Sequence, residues 1–475
     1  MNLMLFAPEF ILLLGCLALF FLSLGSPGTE APRRLARGVA LLALLSLLCP
    51  VTLNANGSLF FEAYRIDTFS QLMKLVTCVG FAATLFASPR LKGIAEDIRA
   101  EYYLFLTLST LGLVMLVSSA DLLTMFISLE LSSYSLYLMV PMRDDRHGVR
   151  LQMESAIKYI LFGVAATGVM LFGMSYLFGL TGAISFDQLI PHLRHMMDSP
   201  AALAAIAMVL CGFFFKLAVF PFHFWAPDVY QGASNETTAF IASVPKVAAV
   251  GLLVRIASMA TPDGRFLVLT LAILAVCSMF YGNLAALVQT DVKRMLGFSG
   301  IAHAGYIMLG LVTLGTEGYA TAIFYVIGYL VMVIAGFLVI CAVSKDGENV
   351  SVSDLNGLYK RSPILAFTLA VSMFAMAGIP PFVGFMGKFM LLTAAYRAGF
   401  LPLVIIAVIN TAIGMYYYLC VVKAAYSGDP AGRPGLSVGF STKAVSVLLM
   451  AVTVALGVAP DRVLDIATAA VKAIL

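Results

Sequence analysis

About fourteen apolar stretches, each long enough to form a membrane-crossing helix, follow one another along the 475 residues, and no connector exceeds about twenty residues. Breaks at Gly, Pro, Asn and charge clusters predict spans over about 3–24, 37–54, 69–88, 102–119, 122–140, 156–180, 202–229, 237–259, 266–288, 295–314, 319–343, 363–396, 401–425 and 442–460. No β-alternation interrupts them, so the expected fold is an all-α polytopic membrane protein. Charged residues make up only 11% of the chain, against about 25% in soluble domains. That is too few to clothe two or three soluble domains in polar skins. A secreted scaffold, a nucleic-acid-binding domain and a disordered chain are excluded on the same ground.

The opening MNLMLFAPEF has no basic segment ahead of its apolar run and carries Glu9 instead, so a retained first membrane helix is expected rather than a cleaved signal peptide. Seven cysteines lie in apolar runs, with no CxxC and no histidine at ligand spacing. They read as small core residues, not as metal, iron–sulfur or disulfide partners. Neither a GxGxxG nor a GxxxxGK[ST] nucleotide fingerprint occurs.

The basic residues divide unequally between the two sides. Loops after odd-numbered spans hold seventeen, among them Arg33, Arg90, Lys92, Arg143, Arg146, Arg150, Lys293 and Arg294. Loops after even-numbered spans hold five: Arg65, Arg194, Arg255, Arg265 and Arg397. By the positive-inside rule the odd loops face the cytoplasm and both termini face outward. The loop DVYQGASNET breaks the pattern, having no basic residue. Arg462 and Lys472 fall in the C-terminal tail. The remaining five cations, Lys74, Lys158, Lys216, Lys246 and Lys388, sit inside expected spans, and all are lysine.

An ammonium at mid-bilayer costs about 2.5–3.5 kcal/mol even on lenient insertion scales. Desolvation weakens a buried lysine's hold on its proton by up to about 3–5 pKa units, whereas arginine stays charged. Lysines in the membrane therefore suit proton handling. Lys74 is near enough to a span end to snorkel to the interface. Lys158 follows Glu154 by one helical turn, and a plain i,i+4 pair is an alternative to a functional role. Lys216, Lys246 and Lys388 lie deep. Glu130 is the carboxylate in the middle of the membrane region, flanked by Ser128, Ser132, Ser133 and Tyr134. It calls for a cationic partner that the sequence alone does not name.

Two spans are interrupted. The seventh, CGFFFKLAVFPFHFWAPDVY, carries Pro221 with Lys216 before it and His223 after it. Pro221 removes the hydrogen bond to the Leu217 carbonyl, which predicts a kink. In the twelfth, FAMAGIPPFVGFMGKFMLL, Pro380, Pro381, Gly384 and Gly387 precede Lys388. Non-helical backbone at membrane depth belongs in buried protein or beside a wet cavity, and paired breaks in two halves point to a transport path. The breaks are five spans apart. Spans four to eight and nine to thirteen then form two inverted five-helix repeats, with divisions at 1–100, 101–260, 261–426 and 427–475. His192 and His195 fall in an outer connector and should be solvated. His303, among small residues of the tenth span, is either a core histidine or a relay group. His223 beside the break leans toward relay.

These residues and segments resemble the antiporter-like membrane subunits of respiratory complex I, and subunit N among them. The resemblance covers nearly the whole chain and is sharpest in FKLAVFPFHFWAPDVYQGA, TTAFIASVPKVAAV, VSDLNGLYKRSPILAFTLAVSMFAMAGIPPFVGFMGKF and NTAIGMYYYL. Ser234–Glu236 departs from the Pro-Thr-type stretch common there. Lys388, where subunit M typically has Glu, and the lack of a long lateral helix fit subunit N better than M or L. The resemblance implies a proton-translocating membrane subunit of a redox-driven NADH-quinone oxidoreductase in the bacterial inner membrane. Glu130 and Lys216 would pair, Lys246 would be the central relay, and Lys388 would pass the proton outward. Lys158, His223 and His303 would support them. Flavin, iron–sulfur clusters and quinone would belong to other subunits, with no cofactor or metal in this chain. Partners would be subunit M, the small membrane subunits and lipid, not nucleic acid. A subunit of a multi-subunit cation/proton antiporter, a complex-I relative using another electron donor, and a static spacer remain as alternatives.

Overall fold

A computed structural model of the chain describes residues 3–474 apart from 26–27, 29, 50–51, 53–54, 89, 145–150, 197–198, 258–264 and 431. Arg146, Arg150 and the expected division at 260/261 lie outside the described residues.

The helices in chain order are α1 Ala7–Ser23, α2 Glu30–Leu48, α3 Thr68–Ala87, α4 Arg99–Leu116, α5 Leu122–Met139, α6 Leu151–Thr181, α7 Phe186–Arg194, α8 Pro200–Leu217, α9 Trp225–Gly232 and α10 Asn235–Ala257. They continue with α11 Arg265–Ala286, α12 Val292–Val312, α13 Thr316–Val343, α14 Leu358–Arg361, α15 Pro363–Ala377, α16 Val383–Arg397, α17 Leu401–Ser427, α18 Phe440–Val458 and α19 Asp461–Lys472. Each expected apolar stretch overlaps a helix or a broken helix pair, with α2 starting seven residues ahead of its expected span 37–54. Ten helices among the described residues are long and apolar enough to cross a membrane. The chain is thus a nearly all-helical, multi-pass membrane protein. One departure is a short antiparallel hairpin, β1 Gly57–Leu59 with β2 Tyr64–Ile66, in register Ser58 to Arg65. Its strands have three residues each, too short to leave an alternation in the sequence.

Starts of several spans are written locally. Asp67 accepts from Ser70 N at 2.7 Å, and Ser70 Oγ accepts from Asp67 N at 2.9 Å, a capping box on α3. Asp121 and Asp291 cap α5 and α12 by accepting from Thr124 N and Arg294 N at 2.6 and 2.9 Å.

Three helices form the axis of the bundle. Burial covers 94% of the apolar window of α10, all of α12 and 89% of α13, against 33% for α11, α17 and α18. Helix α13 packs on α10, α15, α16 and α19, and α10 packs on α3. The peripheral helices turn large apolar side chains outward, such as Leu161, Phe172, Ile405 and Val408. Lipid accepts such a surface at no cost, so α11, α17 and α18 can be apolar all round while burying only one face.

Neither interrupted span is a simple kink. The seventh stops at Leu217, four residues ahead of Pro221, with Ala218 in the left-handed region at φ 58°, and restarts at Trp225. The Phe215 carbonyl accepts from Ala218 N at 3.0 Å and from Trp225 Nε1 at 2.9 Å, and Phe220 N donates to Ser278 Oγ at 3.0 Å. The twelfth stops at Ala377, passes Gly378 at φ 84° and resumes at Val383. At both breaks buried side chains take up backbone groups released from the helix, which bilayer depth requires.

Candidate functional site

Lys216, Lys246 and Lys388 are all buried, on α8, α10 and α16. Each is held by a different kind of acceptor. Lys216, in the last turn of α8, donates from Nζ to Ser133 Oγ at 3.0 Å and Ser132 Oγ at 3.4 Å. Both serines follow Glu130 on α5. Glu130 Oε1 is buried and has no hydrogen-bond partner among the described residues, so the hydrogen bonds of Lys216 go to the serines that follow Glu130 and not to that oxygen.

Lys246 donates to the Gly300 carbonyl at 3.1 Å and to Tyr329 Oη at 3.2 Å, with its ammonium 5.0 Å from the Tyr329 ring centroid. Gly300 is required by this approach: a Cβ there would stand 2.7 Å from Lys246 Nζ. Lys388 reaches back across the twelfth-span break. Its Nζ donates to the carbonyls of Met376 and Ala377 at 3.0 and 3.5 Å and lies 4.7 Å from the Tyr306 ring centroid. An ammonium at the C-terminus of α15 meets both the unsatisfied carbonyls and the negative end of the helix dipole.

His303 on α12 lies between the Lys246 and Lys388 surroundings. Its Nδ1 is 2.6 Å from Tyr325 Oη and its Nε2 3.0 Å from Tyr418 Oη. Its ring centroid is 4.9 Å from that of Tyr329, which holds Lys246, and 6.3 Å from that of Tyr306, which lies against Lys388. Tyr306 Oη is in turn 3.0 Å from Thr411 Oγ1. Tyrosines from α12, α13 and α17 thus surround one histidine and join the environments of two lysines.

Residues 119–414 match the family described as NADH:quinone oxidoreductase/Mrp antiporter, TM. The chain is 51% identical over 464 residues to NADH-quinone oxidoreductase subunit N 2 of Opitutus terrae, covering 98% of this chain and 96% of that one. It is 35% identical to NADH-quinone oxidoreductase subunit N of Methylovorus glucosotrophus, over 98% and 96% of the two chains. The chain belongs to the subunit N family of NADH-quinone oxidoreductase. A chain of respiratory complex I from Thermus thermophilus superposes with a TM-score of 0.83 at 32% identity, covering 96% of this chain and 98% of that one. A chain of the Mrp complex from Dietzia has a TM-score of 0.87 at 23% identity, over 99% and 97%, which is a likeness of fold.

Within this subunit N family member, the other expected site residues are placed as follows. Lys158 keeps the pair with Glu154, at 2.7 Å, and adds Asp228 Oδ2, also at 2.7 Å. Asp228 Oδ1 accepts from Arg294 at 2.5 Å, so Lys158 joins a polar cluster near the ends of α6, α9 and α12. Its side chain remains 38% exposed, unlike the three central lysines. His223 is buried in the seventh-span break against Phe220, Phe224 and Tyr281, and neither ring nitrogen has a hydrogen-bond partner among the described residues. His192 and His195 are exposed, as expected. Gly384 and Gly387 are close-packing positions in α16, where a Cβ would meet the Ala375 carbonyl at 1.8 Å and the Tyr325 ring at 2.7 Å. No group of three or more His, Cys, Asp or Glu that could hold a metal occurs among the described residues.

Two readings need correction. Lys74 does not snorkel: it is fully buried, 2.6 Å from Glu9 Oε1, which also accepts from Tyr64 Oη at 2.6 Å. Finally, Lys293 and Arg255, counted as loop residues, are buried at helix ends. Lys293 donates to the Ala233 carbonyl at 2.7 Å, and Arg255 pairs with Asp67 at 2.9 Å. Glu236, seen in the sequence only as a departure in a loop, is a buried carboxylate whose Oε1 accepts from Lys92 N at 3.1 Å. The tyrosines were missed altogether. Their signal was Tyr325 and Tyr329 one turn apart, with Tyr417 and Tyr418 in a distant span.

Proposed function

We propose that this chain is the proton-translocating subunit N of a redox-driven quinone oxidoreductase, and that Glu130, Lys216, Lys246 and Lys388 carry the protons. The observation that bears most weight is His303, whose two ring nitrogens meet two tyrosines between the Lys246 and Lys388 surroundings. A carboxylate near an ammonium favours its charged form. When conformational and electrostatic signals from quinone chemistry elsewhere weaken the Glu130–Lys216 interaction, Lys216 releases a proton by way of water toward Lys246. From Lys246 the proton passes by Tyr329 and His303 to Lys388 and then outward. Renewed interaction with Glu130 restores the proton affinity of Lys216. Lys158 and His223 support loading, and Pro221, Pro380 and Pro381 keep the two paths open as half-channels.

In this reading all fourteen spans cross the membrane, spans four to eight and nine to thirteen are inverted repeats, and both termini face the periplasm. Subunit M and the small membrane subunits are neighbours, and flavin, iron–sulfur clusters and quinone are held by partner chains. The test is the number of protons moved per electron pair in proteoliposomes carrying the whole complex. Lys216→Met, Lys246→Met and Glu130→Ala should assemble and lose coupled turnover or proton yield. Full turnover with unchanged stoichiometry in all three would sink the scheme. The electron donor is read from the tagged, mildly solubilised complex. Donor-dependent quinone reduction with co-eluting flavin and iron–sulfur spectra supports the redox reading, and a stable complex without them turns it toward an ion-gradient antiporter.

A further inference from the structure

A basic surface cleft of about 470 Å³ lies away from the lysine row, among the ends of α2, α3, α13, α15 and α18. Arg33, Arg90 and Lys92 line it from α2 and the segment after α3, and Phe440, Ser441 and Thr442 line it from the first turn of α18. Three cations from two stretches of chain thus line the same cleft as one helix N-terminus. That N-terminus begins at Gly439, has no side-chain cap and has no acidic residue in its first turn. Its dipole adds to the positive field of the arginines. Two acids meet these cations: Glu30 pairs with Arg33 and Arg34, and Glu236 accepts from Lys92 N at 3.1 Å. Lys92 Nζ bonds the Ser344 carbonyl at 2.7 Å and the Ala342 carbonyl at 3.3 Å, which fixes its charge at the rim.

Position identifies what such a cleft takes. The apolar helices α3 and α13 end here, and α15 and α18 begin here, so the cleft lies at head-group depth and not in the hydrocarbon. Phe440 beside it is 87% exposed, an apolar surface for an acyl chain next to the cations. The side is the one on which basic residues accumulate, where anionic lipids meet juxtamembrane cations.

We propose that this cleft binds the phosphate of an anionic phospholipid, with Arg90 and the α18 N-terminus holding the head group. The inference does not depend on the proton path, because none of these residues belongs to it.

The test uses the intact complex in nanodiscs containing a photoreactive phosphatidylglycerol, followed by peptide mapping. Labelling should fall on segments 87–92 and 437–442, and a phosphatidylcholine analogue should label them far less. Arg90→Ala should reduce labelling roughly fivefold, the effect expected of one interfacial cation. Ser441→Asp should reduce it as well. An acidic residue in the first turn stabilises the helix dipole, so loss of labelling in that variant cannot come from fraying of α18. Inorganic phosphate at millimolar concentration should not compete. Competition by phosphate would assign the site to a free anion, and cross-links from Ser441→Cys to a partner chain would assign it to a subunit contact. Either result overturns the proposal, as does equal labelling by both lipids or labelling unchanged in the variants.

Discussion

A neutral imidazole has one N–H and one acceptor nitrogen, so of Tyr325 and Tyr418 one must donate to His303 and the other accept from it. A proton taken at one nitrogen and released from the other reverses both bonds and leaves the ring ready only after they turn back. His303→Phe keeps the ring volume and removes this exchange. Coupled turnover should fall by roughly 10²-fold or more if His303 is an obligatory relay, with the complex still assembled by native gel. Normal turnover in that variant would leave the histidine a packing residue. Gly300→Ala tests the neighbouring lysine. Its Cβ would press on Lys246 Nζ, the far end of a flexible side chain, so the fold should survive while the ammonium leaves Gly300 and Tyr329. Reduced turnover with an unchanged thermal transition is the expected pair of results.

The interrupted spans show what a helical element contributes that a residue cannot. Breaking α15 at Ala377 releases carbonyls inside the membrane, and Lys388 takes two of them up from the far side of the gap. Sequence made both breaks legible through Pro221, Pro380 and Pro381. At the seventh span Pro221 predicts a kink, whereas the chain leaves the helix between Leu217 and Trp225, because a proline marks a lost hydrogen bond but not where neighbouring groups supply another. The connector between α13 and α15 offers a pH test at the same scale. Burial alone would raise the Asp354 carboxyl. Hydrogen bonds from Ser351 and the guanidinium groups of Arg433 and Arg361 outweigh it and hold the carboxyl below its ordinary value. A depressed carboxyl contributes fully above the unfolded-state pKa, about 3.9, and its contribution is lost as pH falls through the lower folded value. The segment carrying Asp354 should therefore become more accessible to protease only below about pH 4. An Asp354→Asn variant should show that accessibility at neutral pH.

At the scale of the whole molecule, the Glu9–Lys74 pair ties α1 to α3, with Tyr64 of the hairpin as a third member. Removing one partner leaves a charge in a dry interior. Lys74→Met should destabilise the chain by about 3–5 kcal/mol, and Glu9→Gln with Lys74→Met should recover much of that loss. Equal melting temperatures for the single and double variants would show that the pair is not coupled. The run of apolar helices, the two breaks and the buried lysines at 216, 246 and 388 follow from the sequence alone, because hydropathy and proline act within one segment. The partners of those lysines were decided by tertiary structure. His303 meets Tyr418 across 115 residues, Lys246 meets Tyr329 across 83, and Lys74 meets Glu9 from the opposite end of the first three helices. A buried polar group must find a partner, but helix packing, not local sequence, determines which one comes within reach.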